Sequence, residues 1–241
     1  MDFRKIANIA VDCVILKLNA GTVNILLNRR TLNMYNETYP VIDDWVLTGN
    51  HINKSERLDE AASRIFKEFT GFDHAYMEQF LTFGNPKRIR NEKDLLWTKS
   101  RGTDPRSISV AYYFLLQSDK EIVKNKNICW FRINKLPELG FDHSQIIFRA
   151  YENLKLKVMS EPVIFNFLPD KFTLNELQLA YESILDIKID NRNFRKKAVN
   201  KTYIVPLDEK RLGGSKKPAK LYMFSKDVYD RTSGKNNVIN I

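Results

Sequence analysis

The residues of this chain with the clearest chemistry are the cations towards its C-terminal end. Positions 191–220 hold ten Lys or Arg residues against two acidic ones, a net charge of +8, whereas the whole 241-residue chain carries +10. Cations at this density attract phosphate groups, and the pI near 9.5 fits a protein that binds nucleic acid. The alternative is a basic surface that is simply solvated, so the elements carrying these residues decide between the two.

Two helices are predicted around the start of this basic stretch. Thr173 and Glu176 form a capping box, in which each side chain satisfies a free backbone amide at the beginning of a helix. An apolar stripe at helical spacing then continues to about residue 185. Asp190 or Asn191 can cap a second helix that runs from residue 192 to residue 199.

The second predicted helix and the loop that follows it carry the candidate DNA contacts. Alternating strands at 203–207 and 219–224 are joined by a turn rich in glycine and lysine, so the whole order is typical of a winged helix-turn-helix. A recognition helix presents its N-terminal polar side chains to base edges, while cations contact phosphates, which predicts a double-stranded DNA operator as the partner. The predicted contacts are Arg192, Asn193, Arg195, Lys196 and Lys197 on the helix, and Lys210, Arg211, Lys216 and Lys217 on the wing.

The part of the chain before this region is predicted to be a separate α/β unit. Two β-branched apolar runs, 6–18 and 23–30, flank a hairpin signal. A helix with Ser55 as its cap extends to residue 70 and ends at Gly71. Further strands are predicted at 45–47, 77–83, 108–116 and 127–133, and a further helix at 145–159. We therefore expect two domains, 1–160 and 161–241.

The segment that ends in the first helix resembles the Nudix box, which places several carboxylates on one helix face to hold divalent cations against a pyrophosphate. Glu56, Arg64 and Glu68 match that pattern, but Ile65 and Phe69 stand where it has glutamates. Glu68 alone is a poor magnesium site, because a hard cation needs several oxygen ligands. The sequence thus predicts no metal, no cofactor and no catalytic residue, and leaves Glu68 either paired with Arg64 or in contact with a ligand.

Short motifs spread in order over both domains make the resemblance more specific. They lie at 76–79, 104–106, 109–113, 141–143, 162–169, 172–174, 177–178, 181–182, 192–196 and 218–222. With these motifs the chain resembles the Nudix-related transcriptional regulators, which govern NAD or pentose metabolism. That resemblance implies a Nudix-like α/β/α sandwich followed by a winged helix-turn-helix, a homodimer, and a regulator that senses either a free pentose or an ADP-ribose-like nucleotide.

The resemblance also implies where the effector binds. At matching positions it places Glu68, Arg88, Asp104 and Arg106 near a pocket of the first domain. Arginine suits phosphate through its planar fork, and a carboxylate suits sugar hydroxyls, although each residue has a loop salt bridge as its alternative. The chain departs from the family in a polar, basic insertion at 89–102, where the family has a short turn. His143 is expected to cap or pack at a helix start rather than to act as a base.

Composition leaves this interpretation with two rivals. Every apolar run is far shorter than the roughly 18–20 residues that cross a bilayer, and Asn8 and Asp12 interrupt any signal-peptide core. Cys13 and Cys129 lie in apolar runs, as core residues do, so we expect a cytoplasmic protein without disulfides. The rivals are an active pyrophosphohydrolase of ADP-ribose type, disfavoured by the apolar residues in the box, and an RNA-binding Nudix-like protein, disfavoured by the lack of an aromatic stacking cluster.

Overall fold

The computed structural model of the chain describes residues 5–35, 38–89, 91–122, 125–211, 218–232 and 238–239. The chain divides into two compact units. The first holds most of the chain up to Glu152, and the second runs from Asn153 onward and includes the short segments Lys17–Val23 and Gln117–Lys120. The expected domain boundary after residue 160 stays a prediction.

A six-stranded sheet forms the centre of the first unit. Its strands are β1 (Lys5–Asn19), β2 (Thr22–Leu32), β3 (Ile42–Asn53), β4 (Tyr76–Phe83), β5 (Ile108–Leu116) and β6 (Ile128–Arg132). They lie in the order β4-β5-β1-β3-β2-β6, and β1 with β3, β2 with β3, β2 with β6 and β4 with β5 pair antiparallel. The third strand is much longer than the predicted 45–47, because its pairing with two neighbours continues through the polar residues on either side.

Helix α1 (Leu58–Thr70) packs on one face of this sheet. Successive side chains of a strand point to opposite faces, so Val11 and Cys13 of β1 join the core beneath the helix while Asp12 points to the other face. Phe66 of the helix completes this core by stacking on a phenylalanine of β5 with ring centroids 4.5 Å apart. The sheet face beneath α1 is therefore apolar, whereas the opposite face carries the carboxylate of Asp12.

The start of α1 differs from the sequence prediction, which made Ser55 the cap. The backbone N–H of Asn53 donates to the Glu56 carboxylate at 2.7 Å, which closes a turn through this region. Arg57 precedes the first helical residue instead, and its N–H donates to the carboxylate of Glu60 at 2.8 Å. The first free amide of the helix is therefore satisfied by a glutamate within the helix rather than by a serine hydroxyl.

The insertion at 89–102 forms a helix, α2 (Glu92–Ser100), that the sequence did not predict. The Asn91 side chain caps it by accepting a hydrogen bond from the Asp94 N–H at 2.7 Å. Helix α3 (His143–Ser160) is the last helix that begins in this unit, and its bounds are close to the predicted 145–159. It starts on the sheet face to which Asp12 points.

Of the helices in the described part of the chain, none has the length and apolar character needed to cross a membrane.

The second unit contains the predicted order of helix, helix, strand and strand. Its elements are a 3₁₀ helix (Pro162–Phe167), α4 (Leu174–Leu185), α5 (Asn191–Val199), β7 (Ile204–Arg211), β8 (Ala219–Phe224) and α6 (Lys226–Thr232). Thr173 and Glu176 cap α4 reciprocally, as predicted, and Asp190 caps α5. Phe194 of α5 is buried against Tyr181 of α4, so a defined apolar contact sets the angle between the two helices. Strand β7 extends beyond the predicted end at residue 207 and pairs antiparallel with β8.

Candidate functional site

A cavity of about 440 Å³ opens on the sheet face of Asp12 in the first unit. Its size is within the range of roughly 300–1,000 Å³ that small-molecule sites occupy. Its walls come from β1, β2, β3, α2, the start of α3 and the loops after β4 and α2. They are lined by Ala10, Asp12, Asn28, Val46, Leu47, Gly49, Asn50, His51, Arg88, Ile89, Trp97, Thr98, Arg101, Thr103, Asp104, Ser107, Phe141 and His143.

A buried polar cluster surrounds Asp12 in the wall of this cavity. The Asp12 carboxylate accepts a hydrogen bond from the Ser109 hydroxyl, lies 3.6 Å from Nε2 of His143, and lies 3.7 Å from Nη2 of Arg88. The side chains of all three charged or titratable members are 10% exposed or less. Such a cluster fixes the direction of each polar atom, which favours recognition of hydroxyl groups on a ligand.

His143 sits at the first position of α3 as a neutral imidazole. Its Nδ1 accepts a hydrogen bond from the Leu47 N–H at 2.8 Å, so the ring proton is on Nε2, which faces Asp12. Burial lowers the pKa of His143 below its usual value, and the nearby Asp12 only partly opposes that effect. The residue therefore joins α3 to strand β3, in agreement with the structural role expected from the sequence.

Arg88 lines the cavity, but a carboxylate already neutralises its guanidinium. Its Nε and Nη2 donate to the two oxygens of Asp142 at 3.0 and 2.6 Å, and Nη1 donates to the Phe83 carbonyl at 3.3 Å. The side chain is 6% exposed. A bidentate pair of this kind holds the loop after β4 against the start of α3.

Asp104 and Arg106 lie on the loop that precedes β5. Asp104 is exposed and lines the cavity, and its carboxylate accepts a hydrogen bond from the Arg106 N–H at 2.7 Å. Arg106 is exposed too, but it is not part of the cavity wall. The structure thus brings Arg88 and Asp104 to one cavity and leaves Arg106 beside it.

Glu68 lies away from this cavity, on helix α1 and thus on the other face of the sheet. It accepts a hydrogen bond from Nη1 of Arg64 at 3.1 Å, whose Nε and Nη2 also hold the carboxylate of Glu56 at 2.9 and 2.6 Å. The hydrogen bonds from Arg64 lower the pKa of Glu56 to about 2 against the opposing effect of burial. Of the two alternatives for Glu68, the geometry shows the pair with Arg64.

The box residues do not fit a divalent cation. Ile65 is fully buried in the core beneath α1, and Phe69 packs against the same core. Within the described residues, no group of three or more His, Cys, Asp or Glu side chains is arranged to hold a metal ion. A hard cation would therefore find too few oxygen ligands here.

The sequence interpretation missed most of the lining residues, among them Trp97 and Arg101 of the insertion at 89–102. Trp97 lines the cavity from α2, and the Arg101 guanidinium lies over its indole ring, 4.5 Å from the ring centroid. The spacing of four residues between an aromatic and a cation was the available signal. The sequence indicates only a polar, basic insertion in this stretch and predicts no helix there.

The predicted DNA contacts of α5 share an exposed surface, which we call the α5 basic face. Phe194 and Ala198 are buried, and the four cations of the helix are all exposed. Among these side chains, that of Arg195 donates to the Asn175 amide oxygen of α4 at 2.7 Å. The face consists of Arg192, Asn193, Arg195, Lys196 and Lys197, all exposed.

The predicted wing contacts divide between described and undescribed positions. Lys210 is exposed on β7, whereas Arg211 donates to Glu176 at 2.5 Å and to the Lys171 carbonyl at 2.7 Å. Lys216 and Lys217 lie outside the described residues. Arg211 therefore ties the strand to the start of α4, and Lys210 keeps its charge at the surface.

Comparison with known proteins gives matches over both units. Residues 164–224 match the family described as the NrtR DNA-binding winged helix domain. The chain is 29% identical over 229 residues, 91% of its length and 83% of the relative's, to the ADPR responsive transcriptional repressor NtrR of Acinetobacter baylyi.

Solved structures match the whole fold. NrtR of Shewanella oneidensis in complex with a 27mer DNA gives a TM-score of 0.73 at 27% identity, over 92% of this chain and 95% of that one. The same protein without DNA gives 0.72 at 27% identity, over 91% of this chain and 95% of that one. A MutT/nudix family protein from Enterococcus faecalis shares the fold with a TM-score of 0.68 at 23% identity, over 92% of this chain and 89% of that one.

Proposed function

We propose that this chain, which fits the family of Nudix-related transcriptional regulators, binds operator DNA and changes its affinity for DNA when a nucleotide of ADP-ribose type occupies its cavity. The resemblance noted in the sequence is confirmed by the NrtR-type winged helix and by the match to NrtR over 92% of this chain. The expected fold class is confirmed as well, because that match joins a Nudix-like domain to a C-terminal winged helix.

The observation that carries the DNA half of this proposal is the α5 basic face. It lies on the second helix of a winged helix-turn-helix, the helix that enters the major groove in this motif. The S. oneidensis relative was solved with DNA bound, and the A. baylyi relative is named a transcriptional repressor. We therefore assign base recognition to the N-terminal residues of α5 and phosphate contacts to its later cations and to Lys210, Lys216 and Lys217.

The effector half of the proposal rests on the cavity. Its wall combines aromatic rings, Trp97 and Phe141, with the carboxylates of Asp12 and Asp104 and with the cation of Arg101. Stacking surfaces, hydroxyl acceptors and an arginine are the groups that recognise base, sugar and phosphate. A free pentose would need only a small part of this volume, so we favour an ADP-ribose-like nucleotide, which agrees with the name of the A. baylyi relative.

We further propose that the chain is a regulator without hydrolase activity. Ile65 belongs to the core beneath α1 and Phe69 packs against it, so two positions that would hold catalytic metal ions in a hydrolase are used here for packing. Glu56 and Glu68 are both paired with Arg64, whose positive charge offsets the negative charge that a metal site needs.

The proposed regulator works in the cytoplasm as a homodimer. Two copies of α5 related by a twofold axis would read a palindromic operator, which is the usual arrangement for this motif. Leu156 and Met159 of α3 are large apolar side chains that are 68% and 64% exposed, and a second copy would cover such residues. Sedimentation of the full chain would give twice the 28.3 kDa mass of one chain if this is correct.

A thermal unfolding titration tests the effector half directly. ADP-ribose should raise the melting temperature in proportion to the logarithm of its concentration, because a ligand that binds only the native state stabilises it in this way. Ribose at equal concentration should give a much smaller shift. A larger shift with ribose than with ADP-ribose would reverse our choice of effector class.

A further inference from the structure

Helix α2, the insertion in this chain, forms one wall of the cavity. Trp97 and Thr98 line it from within the helix, and Arg101 lines it from the residue that follows the last turn. The chain then reverses at Gly102, whose φ of +65° is readily adopted by glycine. The Thr103 N–H donates to the Thr98 carbonyl at 3.0 Å, which closes the end of the helix.

A buried ion pair fixes α2 in this position. The Arg30 guanidinium of β2 pairs with Asp94 of α2 and with Asp44 of β3, and its side chain is 1% exposed. Burial disfavours the charge on Arg30, but its hydrogen bonds to Asp44 and Asp94 outweigh that effect and raise its pKa. The other oxygen of Asp94 accepts the Phe141 N–H at 3.0 Å, so α2 is tied to a second wall of the cavity.

Arg101 differs from Arg88, the other arginine in the wall, in having no carboxylate at its head group. Arg88 is neutralised by Asp142, whereas the described residues supply no ion-pair partner to Arg101. The Arg101 guanidinium instead lies on the indole of Trp97, where a cation is held over the ring face while its N–H groups remain available at the edge. This is the arrangement of a guanidinium that is preorganised for an anion.

We infer that Arg101, held on Trp97, is the phosphate-binding residue of the cavity, and that helix α2 thereby sets the preference of this chain for a phosphorylated nucleotide over a neutral sugar. The inference rests on the proposed effector function. It assigns the binding of the effector's phosphate groups to an insertion that the Nudix-related pattern lacks. Arg88 then serves to position the loop after β4, and Asp12 and Asp104 remain for the hydroxyl groups of the ligand.

Calorimetric titration of the full chain with ADP-ribose tests this assignment. Arg101→Gln removes the charge at an exposed position, and Lys99→Gln is the matched control, because Lys99 is an exposed cation of the same helix that does not line the cavity. We expect Arg101→Gln to raise the Kd for ADP-ribose by roughly 10- to 100-fold, the value of a charge-assisted hydrogen bond. The control should stay within about twofold, since a remote surface charge is screened by salt.

Salt dependence gives a second readout that a structural role would not change. The Kd of the unmodified chain should rise with NaCl more steeply than that of Arg101→Gln. If the unmodified chain binds ADP-ribose and both variants bind it equally well, the assignment to Arg101 is wrong while the effector proposal stands. If the unmodified chain binds no ADP-ribose at all, the effector proposal fails and takes this inference with it.

Discussion

Arg30 of β2 and Asp94 of α2 form an ion pair, with side chains that are 1% and 2% exposed. The two residues are 64 positions apart in the chain, yet their contact places helix α2 against the sheet. The Arg30 guanidinium also lies 4.5 Å from the ring centroid of Phe141. Breaking a buried pair by removing one partner leaves an uncompensated charge, so the position of α2 depends on Arg30.

The close packing around this ion pair can be tested by a substitution at Gly140. A Cβ at this position would lie 2.6 Å from Cζ of Arg30, so Gly140→Ala should force the guanidinium away from its partners. We expect a loss of about 1–3 kcal/mol in the free energy of unfolding, the usual cost of overpacking. Urea unfolding measures it, with Gly84→Ala as the control, because nothing lies within 4 Å of a Cβ there. Equal stability of the two variants would mean that the guanidinium is not held as described.

The lowered pKa of Glu56 predicts part of the change in the free energy of unfolding at acid pH. Its pKa is lowered from 4.5 to about 2 by the hydrogen bonds from Arg64, so its contribution to stability is complete above pH 4.5 and is lost as the pH falls towards 2. Glu56→Gln should therefore flatten the decline in unfolding free energy between pH 4.5 and 2. Lys67→Gln, which removes an exposed ion pair between the same helix and Asp73, serves as the comparison. If the unfolding free energy of Glu56→Gln declines between pH 4.5 and 2 as steeply as that of the unmodified chain, the pKa of Glu56 is not lowered.

The apolar box residues predict an absence of turnover. With Ile65 in the core and Phe69 packed against it, we expect no hydrolysis of ADP-ribose at an ordinary enzymatic rate of about 1 per second or more, with or without magnesium. Chromatographic separation of AMP and ribose 5-phosphate, the two products of pyrophosphate hydrolysis, from ADP-ribose measures this. If the chain hydrolyses ADP-ribose at such a rate and Glu68→Gln abolishes the hydrolysis, the proposal of a regulator without hydrolase activity is wrong. An active pyrophosphohydrolase is then the better interpretation.

The α5 basic face and the predicted wing contacts should have two different effects on DNA binding. Arg192→Ala or Asn193→Ala should cost about 1–3 kcal/mol and relax the preference at one operator position, because a base contact is lost. Lys216→Ala or Lys217→Ala should weaken all sequences alike and reduce the slope of log affinity against log salt by about one per phosphate contact. Binding to operator variants at several salt concentrations separates the two. The opposite pattern would assign base reading to the wing.

The winged helix-turn-helix could be predicted from the sequence because its signals are local. Thr173, Glu176 and Asp190 cap their helices within three residues, and the burial of Phe194 follows from helical spacing. A comparison of cap positions also explains the error at Ser55, where a nearby glutamate takes the amide that the serine was expected to satisfy.

The cavity could be predicted only in part, because contacts between distant residues build it. Arg88 and Asp104 were identified through the family resemblance and do line the wall, whereas Glu68 came from the same resemblance and lies on the other sheet face. Helix α2 has no apolar stripe, and its place depends on Arg30 in another strand. The i, i+4 spacing of Trp97 and Arg101 can be read from the sequence, but their place in the cavity wall depends on this long-range pair.

Regulation of DNA binding by ADP-ribose is best measured by fluorescence anisotropy of the full chain with duplex DNA, in the presence and absence of ADP-ribose. Operator sequences selected from a random duplex pool serve as the probe, and NaCl is varied. We expect an affinity that falls steeply with salt and that ADP-ribose changes by about 5- to 150-fold, the usual size of an allosteric coupling. If DNA binding that depends on salt is absent both with and without ADP-ribose, the chain is not a DNA-binding regulator.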